Sequence, residues 1–350
     1  MIKWLGDRYN KLNYITLVLL YLLILAGGTV RSTGSGMGCP DWPKCFGEFI
    51  PPTDVSELPD NYKEDFLNQR KKKNIELSEM LFFFGFEKLS NKILNDQSIY
   101  IEEDFNVYKT WTEYLNRLLG ALVGFSILLM FMASFTYIKS DKKIFIASLL
   151  SLILVSFQAW IGSIVVSTKL LPGIITFHML MALIIIAVVI YSFFLSRKNR
   201  AFIEDFSGKK LIKIFVSLTL IALIFQISFG TQIRESIDII AVSLGENLRS
   251  IWIEELGIIF LIHRSFSLII LCIYSCLAYL FIRNKKYLIS YHRIVIVILF
   301  LILLEMVTGA GMVYFSIPSF LQPFHLFLAL LIFGLLFFVS LILNFSAKKH

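Results

Sequence analysis

The stretch Gln322-Pro323-Phe324-His325-Leu326-Phe327-Leu328-Ala329-Leu330-Leu331-Ile332-Phe333-Gly334-Leu335-Leu336-Phe337-Phe338-Val339-Ser340-Leu341-Ile342-Leu343 contains no Asp, Glu, Lys or Arg. As a helix rising about 1.5 Å per residue, it covers the roughly 30 Å of a bilayer's hydrocarbon core. It therefore reads as a transmembrane helix. Its one ionisable residue, His325, lies close to one end.

Seven more apolar runs read the same way. The eight candidate spans are 13–30, 114–137, 144–167, 172–195, 211–230, 255–282, 294–315 and 319–344. Composition agrees: 17% of the chain is charged, against about 25% in soluble domains. The net charge of +8 raises the question of nucleic acid. The basic residues are instead gathered in short clusters between apolar runs, as orientation signals are, so no nucleic-acid partner is expected. The first run is long enough to stay as a helix, and no cleavable signal peptide is evident.

The connecting segments alternate in charge. Met1–Asn13, Lys139–Lys143, Arg197–Lys213, Arg283–Arg293 and the tail after Phe345 hold 18 Lys or Arg. The opposite short set holds only Lys169, Arg234 and Arg249. The basic set should face the cytoplasm, with both termini inside. Segment 34–110 is then outside, despite Arg70-Lys71-Lys72-Lys73, because long loops cross regardless of charge. Its run Leu81–Phe86 is too short to span and reads as a short amphipathic or buried helix over the outer face. Cys39 and Cys45 fall in an oxidising compartment, where a disulfide is expected.

A repeat runs through the chain. Gln158 and Gly162 answer Glu305 and Gly309; His178 answers His325; Asn116 and Arg117 answer His263 and Arg264. Every pair is separated by 147 residues. Gly28-Thr29-Val30-Arg31 answers Gly230-Thr231-Gln232-Ile233-Arg234, at a larger offset because the long outer loop intervenes. Four spans per half means the second copy enters from the same side as the first. The expected fold is an all-α membrane protein with eight transmembrane helices in two tandem four-helix bundles. A pseudo-two-fold axis along the membrane normal would relate them. The halves are 1–200, with the long outer loop 34–110, and 201–350.

His178, His263 and His325 lie inside spans, six to eight residues from the outer ends, so at a common depth of roughly 10 Å. One intramembrane histidine can be a helix–helix hydrogen bond or a functional site. Two at equal depth on two helices of one half suit a bis-His haem b. Zinc would need three or four ligands, more than that half supplies. The N-terminal half keeps His178 but has Asn116 where the other has His263. A porphyrin there would have one strong axial ligand, and such open positions do chemistry. Glu113 stands one turn before Asn116, on the face Glu113, Asn116, Arg117, Gly120 and Gly124, where the other half has Phe260. The expectation is that Glu113 lies at the substrate edge, close to His178. Arg31, Arg117, Arg234 and Arg264 lie at the same outer level, as partners for haem propionates or as snorkelling cations.

The segment Gly27-Gly28-Thr29-Val30-Arg31-Ser32-Thr33-Gly34-Ser35-Gly36-Met37-Gly38-Cys39-Pro40-Asp41-Trp42-Pro43 resembles the first-span signature of haem A synthases, the CtaA/Cox15 family. Glu113-Tyr114-Leu115-Asn116-Arg117 resembles that family's Glu-x-x-His-Arg motif. Gly230-Thr231-Gln232-Ile233-Arg234-Glu235, His263-Arg264 and Gln322-Pro323-Phe324-His325 resemble its later landmarks in order. The resemblance covers nearly the whole chain.

It implies oxidation of the C8 methyl of haem O to the formyl of haem A, for cytochrome oxidase, in a bacterial inner membrane. It further implies haem b in the C-terminal half, substrate haem in the N-terminal half, a catalytic role for Glu113 and a loop disulfide between Cys39 and Cys45. Haem O synthase and oxidase assembly factors are the implied protein partners, with an electron acceptor besides. Two departures stand out: Asn116 replaces the family's commoner His, and the loop between the fifth and sixth spans has no cysteines. Two other classes compete. A b-type electron-transfer cytochrome predicts two saturated haems, which Asn116 opposes. A parallel-repeat transporter predicts polar residues and broken helices at the midplane, whereas here the polar residues cluster toward the outer side.

Overall fold

The computed structural model describes residues 4, 6, 8–36, 38, 39, 41, 44–101, 104–169, 171, 173–197 and 206–345. Met37, Pro40, Trp42, Pro43, Pro172 and His350 lie outside the described residues. Eight helices are long and apolar enough to cross a membrane. They are α1 (Tyr9–Ser32), α4 (Val107–Ser134), α5 (Lys142–Ser167), α6 (Ile174–Arg197), α7 (Lys209–Leu244), α8 (Ile258–Arg283), α9 (His292–Tyr314) and α10 (Leu321–Phe345). Between α1 and α4 lie two further helices, α2 (Tyr62–Phe83) and α3 (Glu87–Asn95). The described residues contain no β-strand, only an isolated bridge between Cys45 and Glu48. The end of the bundle that carries α2 and α3 is called the loop face below.

Neighbouring spans pack in two rings of four. Helix α1 touches α4 and α6, and α5 touches the same two; α7 touches α8 and α10, and α9 touches the same two. The rings meet where α10 lies against α1 and α6, and where α6 meets α7. A large apolar core fills this junction, including Ile186, Phe194, Val216, Tyr274, Ile298, Leu330 and Leu336. Helix α10 is accordingly the most enclosed span.

Two helices extend beyond their apolar runs. Helix α4 starts at Val107, seven residues before the expected span, because the Asn106 side chain accepts from the Lys109 N–H at 3.0 Å and caps it. This places Glu113 inside the helix. Helix α7 continues to Leu244, fourteen residues past the expected end at 230, and stops where Gly245 adopts φ +75°. Hydropathy ends the run at Arg234, Glu235 and Asp238, yet these residues find partners on α1 and α6 and keep the backbone helical.

The loop differs from expectation as well. Leu81–Phe86 is not a separate short helix. It is the end of α2 and the turn into α3, with Gly85 at φ +83°. The hairpin is closed by Ser78 Oγ and Ser90 Oγ at 2.6 Å. It rests on the transmembrane body through Leu77 and Ile93, packed with Ile161, Ile164 and Leu171.

Candidate functional site

Each ring holds the same kind of contact twice. A glycine on the odd member of a span pair faces the key side chain on the next. Gly162 of α5 faces His178 of α6; Gly230 of α7 faces His263 of α8; Gly309 of α9 faces His325 of α10. The fourth case is Gly27 of α1, which faces Asn116 of α4. A Cβ at Gly230 or Gly309 would stand 3.3 Å from the imidazole Cε1. These glycines thus let a ring, or a flat ligand beside it, lie against the neighbouring helix.

In the C-terminal ring, the His263 and His325 imidazoles face one another with centroids 6.4 Å apart. With metal–nitrogen bonds of about 2 Å and each nitrogen about 1.1 Å from its ring centre, two axial imidazoles would have centroids about 6.2 Å apart. The spacing therefore fits one iron between them. His263 Nδ1 is buried without a hydrogen-bond partner. His325 Nδ1 lies 2.9 Å from Thr308 Oγ1, the kind of second contact that orients a ligating histidine. His325 Nε2 stands 3.3 Å from Glu305 Oε1. The His263–His325 pair therefore has the spacing of a bis-His haem site, with His325 Nε2 held by Glu305 in this structure. No group of three or more His, Cys, Asp or Glu able to hold a metal ion occurs among the described residues.

Backbone anchors hold these helices in register. Gln226 donates to the His263 carbonyl at 3.0 Å and Gln158 donates to the His178 carbonyl at 2.9 Å. Both glutamines sit four residues before the facing glycine, as Glu305 does. Glu235 of α7 accepts from the Gly173 N–H at 3.0 Å and from the Thr176 hydroxyl at 2.9 Å. It thereby caps the helix that carries His178, where a carboxylate also suits the positive helix end. The single-residue reading passed over Thr308, Gln226 and this role of Glu235. The Gln-x-x-x-Gly spacing was the signal available for Gln226.

In the N-terminal ring, His178 Nδ1 and Asn116 Oδ1 are both buried without hydrogen-bond partners. Gly28, next to Gly27, is reserved for another purpose: a Cβ there would meet Pro323 of α10 at 2.9 Å. The two glycines of the signature thus seat Asn116 and the neighbouring ring.

Glu113 is buried and turned to the loop. It accepts from the Cys39 backbone N–H at 2.9 Å and pairs with Arg117. Arg117 also donates to the carbonyls of Cys39, at 2.5 Å, and of Asp41. Cys39 and Cys45 are disulfide-bonded, with Cα atoms 5.0 Å apart. The Asp41 carboxylate closes the small ring by accepting from the Phe46 and Gly47 N–H groups.

The four arginines do not form one ring. Arg31 and Arg234 share the Asp238 carboxylate, at 2.7 and 2.5 Å, which leaves two cations against one anion. Arg117 serves the disulfide loop, and Arg264 is exposed beside the Phe260 ring.

Known proteins give a consistent picture. The family described as COX15-CtaA, cytochrome oxidase assembly protein, matches residues 10–87 and 85–337. The protein named Heme A synthase in Orientia tsutsugamushi strain Ikeda is 25% identical over 371 aligned positions, 95% of each chain. Its namesake in Shewanella oneidensis is 25% identical over 244, covering 70% of this chain and 62% of that protein. That of Bartonella quintana is 26% identical over 230, covering 63% and 56%. The chain thus matches somewhat over half the length of the latter two relatives. No solved structure matches it at a significant level. With nearly every span inside the matched region, the chain belongs to the COX15-CtaA family of cytochrome oxidase assembly proteins.

Proposed function

We propose that this protein is a haem A synthase, oxidising the C8 methyl of haem O to a formyl group to give haem A for cytochrome oxidase. The reading includes a bacterial inner membrane, cytoplasmic termini and the loop face outside. It also treats 1–200 and 201–350 as two four-helix halves related by a pseudo-two-fold axis. One observation carries it: three glycine-backed histidines, His178, His263 and His325, are spread over both rings of a chain that matches the COX15-CtaA family across nearly every span. A pure b-type cytochrome has no use for the buried Glu113, which stands where the other half has Phe260.

His263 and His325 would hold the resident haem b, with Thr308 orienting His325. Bound there, haem b supplies one-electron transfer. His178 would hold the substrate haem in the N-terminal half, and the Asn116 amide would face its other side without saturating it. Arg31 and Arg234, with one surplus positive charge, suit a carboxylate of either porphyrin. With water as the oxygen source, converting methyl to formyl releases four protons and removes four electrons, which must pass to an external electron acceptor. Proton acceptance is the part this chain's residues must perform. Glu113 is the buried carboxylate one turn from Asn116, suited to take a proton from water or the alcohol and to offset positive charge growing beside the ring. Its bonds to Cys39 and Arg117 support a second role, as the clamp of the disulfide loop. Haem O synthase as donor, and oxidase assembly factors as recipients, complete the reading.

The deciding experiment is expression with a haem O source, followed by pigment extraction and identification of the porphyrin. Haem A and a low-spin haem b are expected from the native chain. His263→Ala and His325→Ala should each lose the low-spin signal. Low-spin absorption unchanged in both variants, or haem A never above background, would overturn the assignment.

A further inference from the structure

The turn between α2 and α3 presents Phe82, Phe83, Phe84 and Phe86 with 59, 83, 65 and 58% of their surfaces exposed. Four aromatic rings within five residues, open to the surroundings, would be an aggregation hazard in water. The position of the hairpin supplies another setting. Partway along α2, Asn74 donates to the Ser167 carbonyl, at the loop-face end of α5, at 3.0 Å. Farther along α2, Leu77, Met80 and Leu81 join a cluster with Ile161, Ile164 and Val165 of α5 and with Leu171 and Ile174 just beyond that span. The second half of α2 therefore packs against the loop-face end of α5, and the aromatic tip projects from that contact. The flank of α5 is itself apolar and exposed, at Ile153, Phe157 and Trp160. Lys71, Lys72 and Lys73 are exposed on α2 before the tip and Lys88 and Lys92 flank it on α3, with Glu76, Glu79 and Glu87 exposed among them.

We propose that this turn is a membrane anchor, with Phe82, Phe83, Phe84 and Phe86 dipping into the bilayer leaflet on the loop face. Continuity with the apolar flank of α5 identifies the occupant as lipid. The lysine collar is suited to the phosphates above it, as in interfacial helices with aromatic and basic faces. The anchor has a mechanical consequence. At the opposite end of α2, Phe66 and Tyr62 pack on Phe46 beside the Cys39–Cys45 disulfide. Helix α2 is then a strut between the lipid surface and the loop that Glu113 holds.

The test uses the full chain reconstituted in vesicles of phosphatidylethanolamine and phosphatidylglycerol. In a C272A/C276A background, a nitroxide is attached at F83C, and separately at K72C for reference. Collision rates with oxygen, which concentrates in lipid, and with a water-soluble nickel chelate are then compared. The oxygen-to-nickel ratio should be several-fold higher at F83C than at K72C. Equal ratios would put the tip in water and overturn the proposal. Protection of F83C from both reagents would mean that protein, a second copy or a partner, covers the tip, and would overturn it as well. Should F83C fail to fold, F84C and F86C give the same reading.

Discussion

The backbone N–H of Cys39 donates to the buried Glu113 carboxylate at 2.9 Å, so the disulfide loop and the acidic residue of α4 form one unit. Gly38 makes the contact possible. A Cβ there would lie 2.6 Å from the Lys109 carbonyl oxygen and 2.7 Å from the Thr110 nitrogen. These are backbone atoms of α4, and they cannot turn aside. Gly38→Ala should therefore lift the loop off α4 and break the Cys39–Glu113 hydrogen bond. Overpacking of this kind costs about 1–3 kcal/mol. Thermal unfolding of the purified variant in detergent checks it; an unchanged midpoint would show that the loop is not seated as described.

The covalent side of the unit is measured by counting thiols. Cys39 and Cys45 are bonded to each other, whereas Cys272 and Cys276 are free and exposed on α8. Denatured protein without reductant should take up two maleimides per chain, and four after reduction. Four before reduction would contradict the bond. Closing so short a loop adds only about 2–3 kcal/mol, so a C39S/C45S variant should still fold.

Asn116 offers a change that adds a function. It faces Gly27 as His263 faces Gly230. Asn116→His should give the N-terminal ring the same pair of imidazoles as its counterpart. With porphyrin bound, a second low-spin species should appear, and haem A formation should persist, because His is the family's commoner residue at this position. A spectrum with the native low-spin content would mean that Asn116 does not face the porphyrin.

The eight spans were legible because a bilayer demands about 20 apolar residues in a row, and the key histidines because one offset of 147 repeats. The extension of α7 was not legible. Arg234, Glu235 and Asp238 end the apolar run, and the residues that satisfy them, Arg31 on α1 and Thr176 on α6, are distant in sequence. The hairpin α2–α3 was missed for a similar reason. Its inner face, Phe66, Arg70, Asn74 and Leu77, mixes charge with apolar groups, and its packing surface lies on α5. Glu113 stood out in the sequence as a carboxylate at the start of a span, and it is buried there. Its attachment to the loop depends on a backbone N–H, which carries no side-chain signature.

The assignment of Glu113 divides the catalytic reading from the clamp reading. The substitution Glu113→Gln keeps the shape and leaves an amide oxygen to accept from the Cys39 N–H. It removes the negative charge opposite Arg117 and the capacity to take a proton. If Glu113 accepts protons during oxidation of the methyl, the variant should fold, keep its disulfide and keep the low-spin haem b. Its output should stop at haem O or at the hydroxylated porphyrin, with the rate of haem A formation down about 10²–10⁴-fold. If Glu113 only holds the loop, Gly38→Ala and C39S/C45S should lower haem A at least as much as Glu113→Gln, because they disturb the loop more. The comparison therefore needs all three variants, with thiol count and haem b spectrum recorded beside pigment yield. A large loss confined to Glu113→Gln assigns the carboxylate to the chemistry. Normal haem A from that variant, with the loop variants impaired, removes Glu113 from the mechanism and leaves it as the fastening of the disulfide loop.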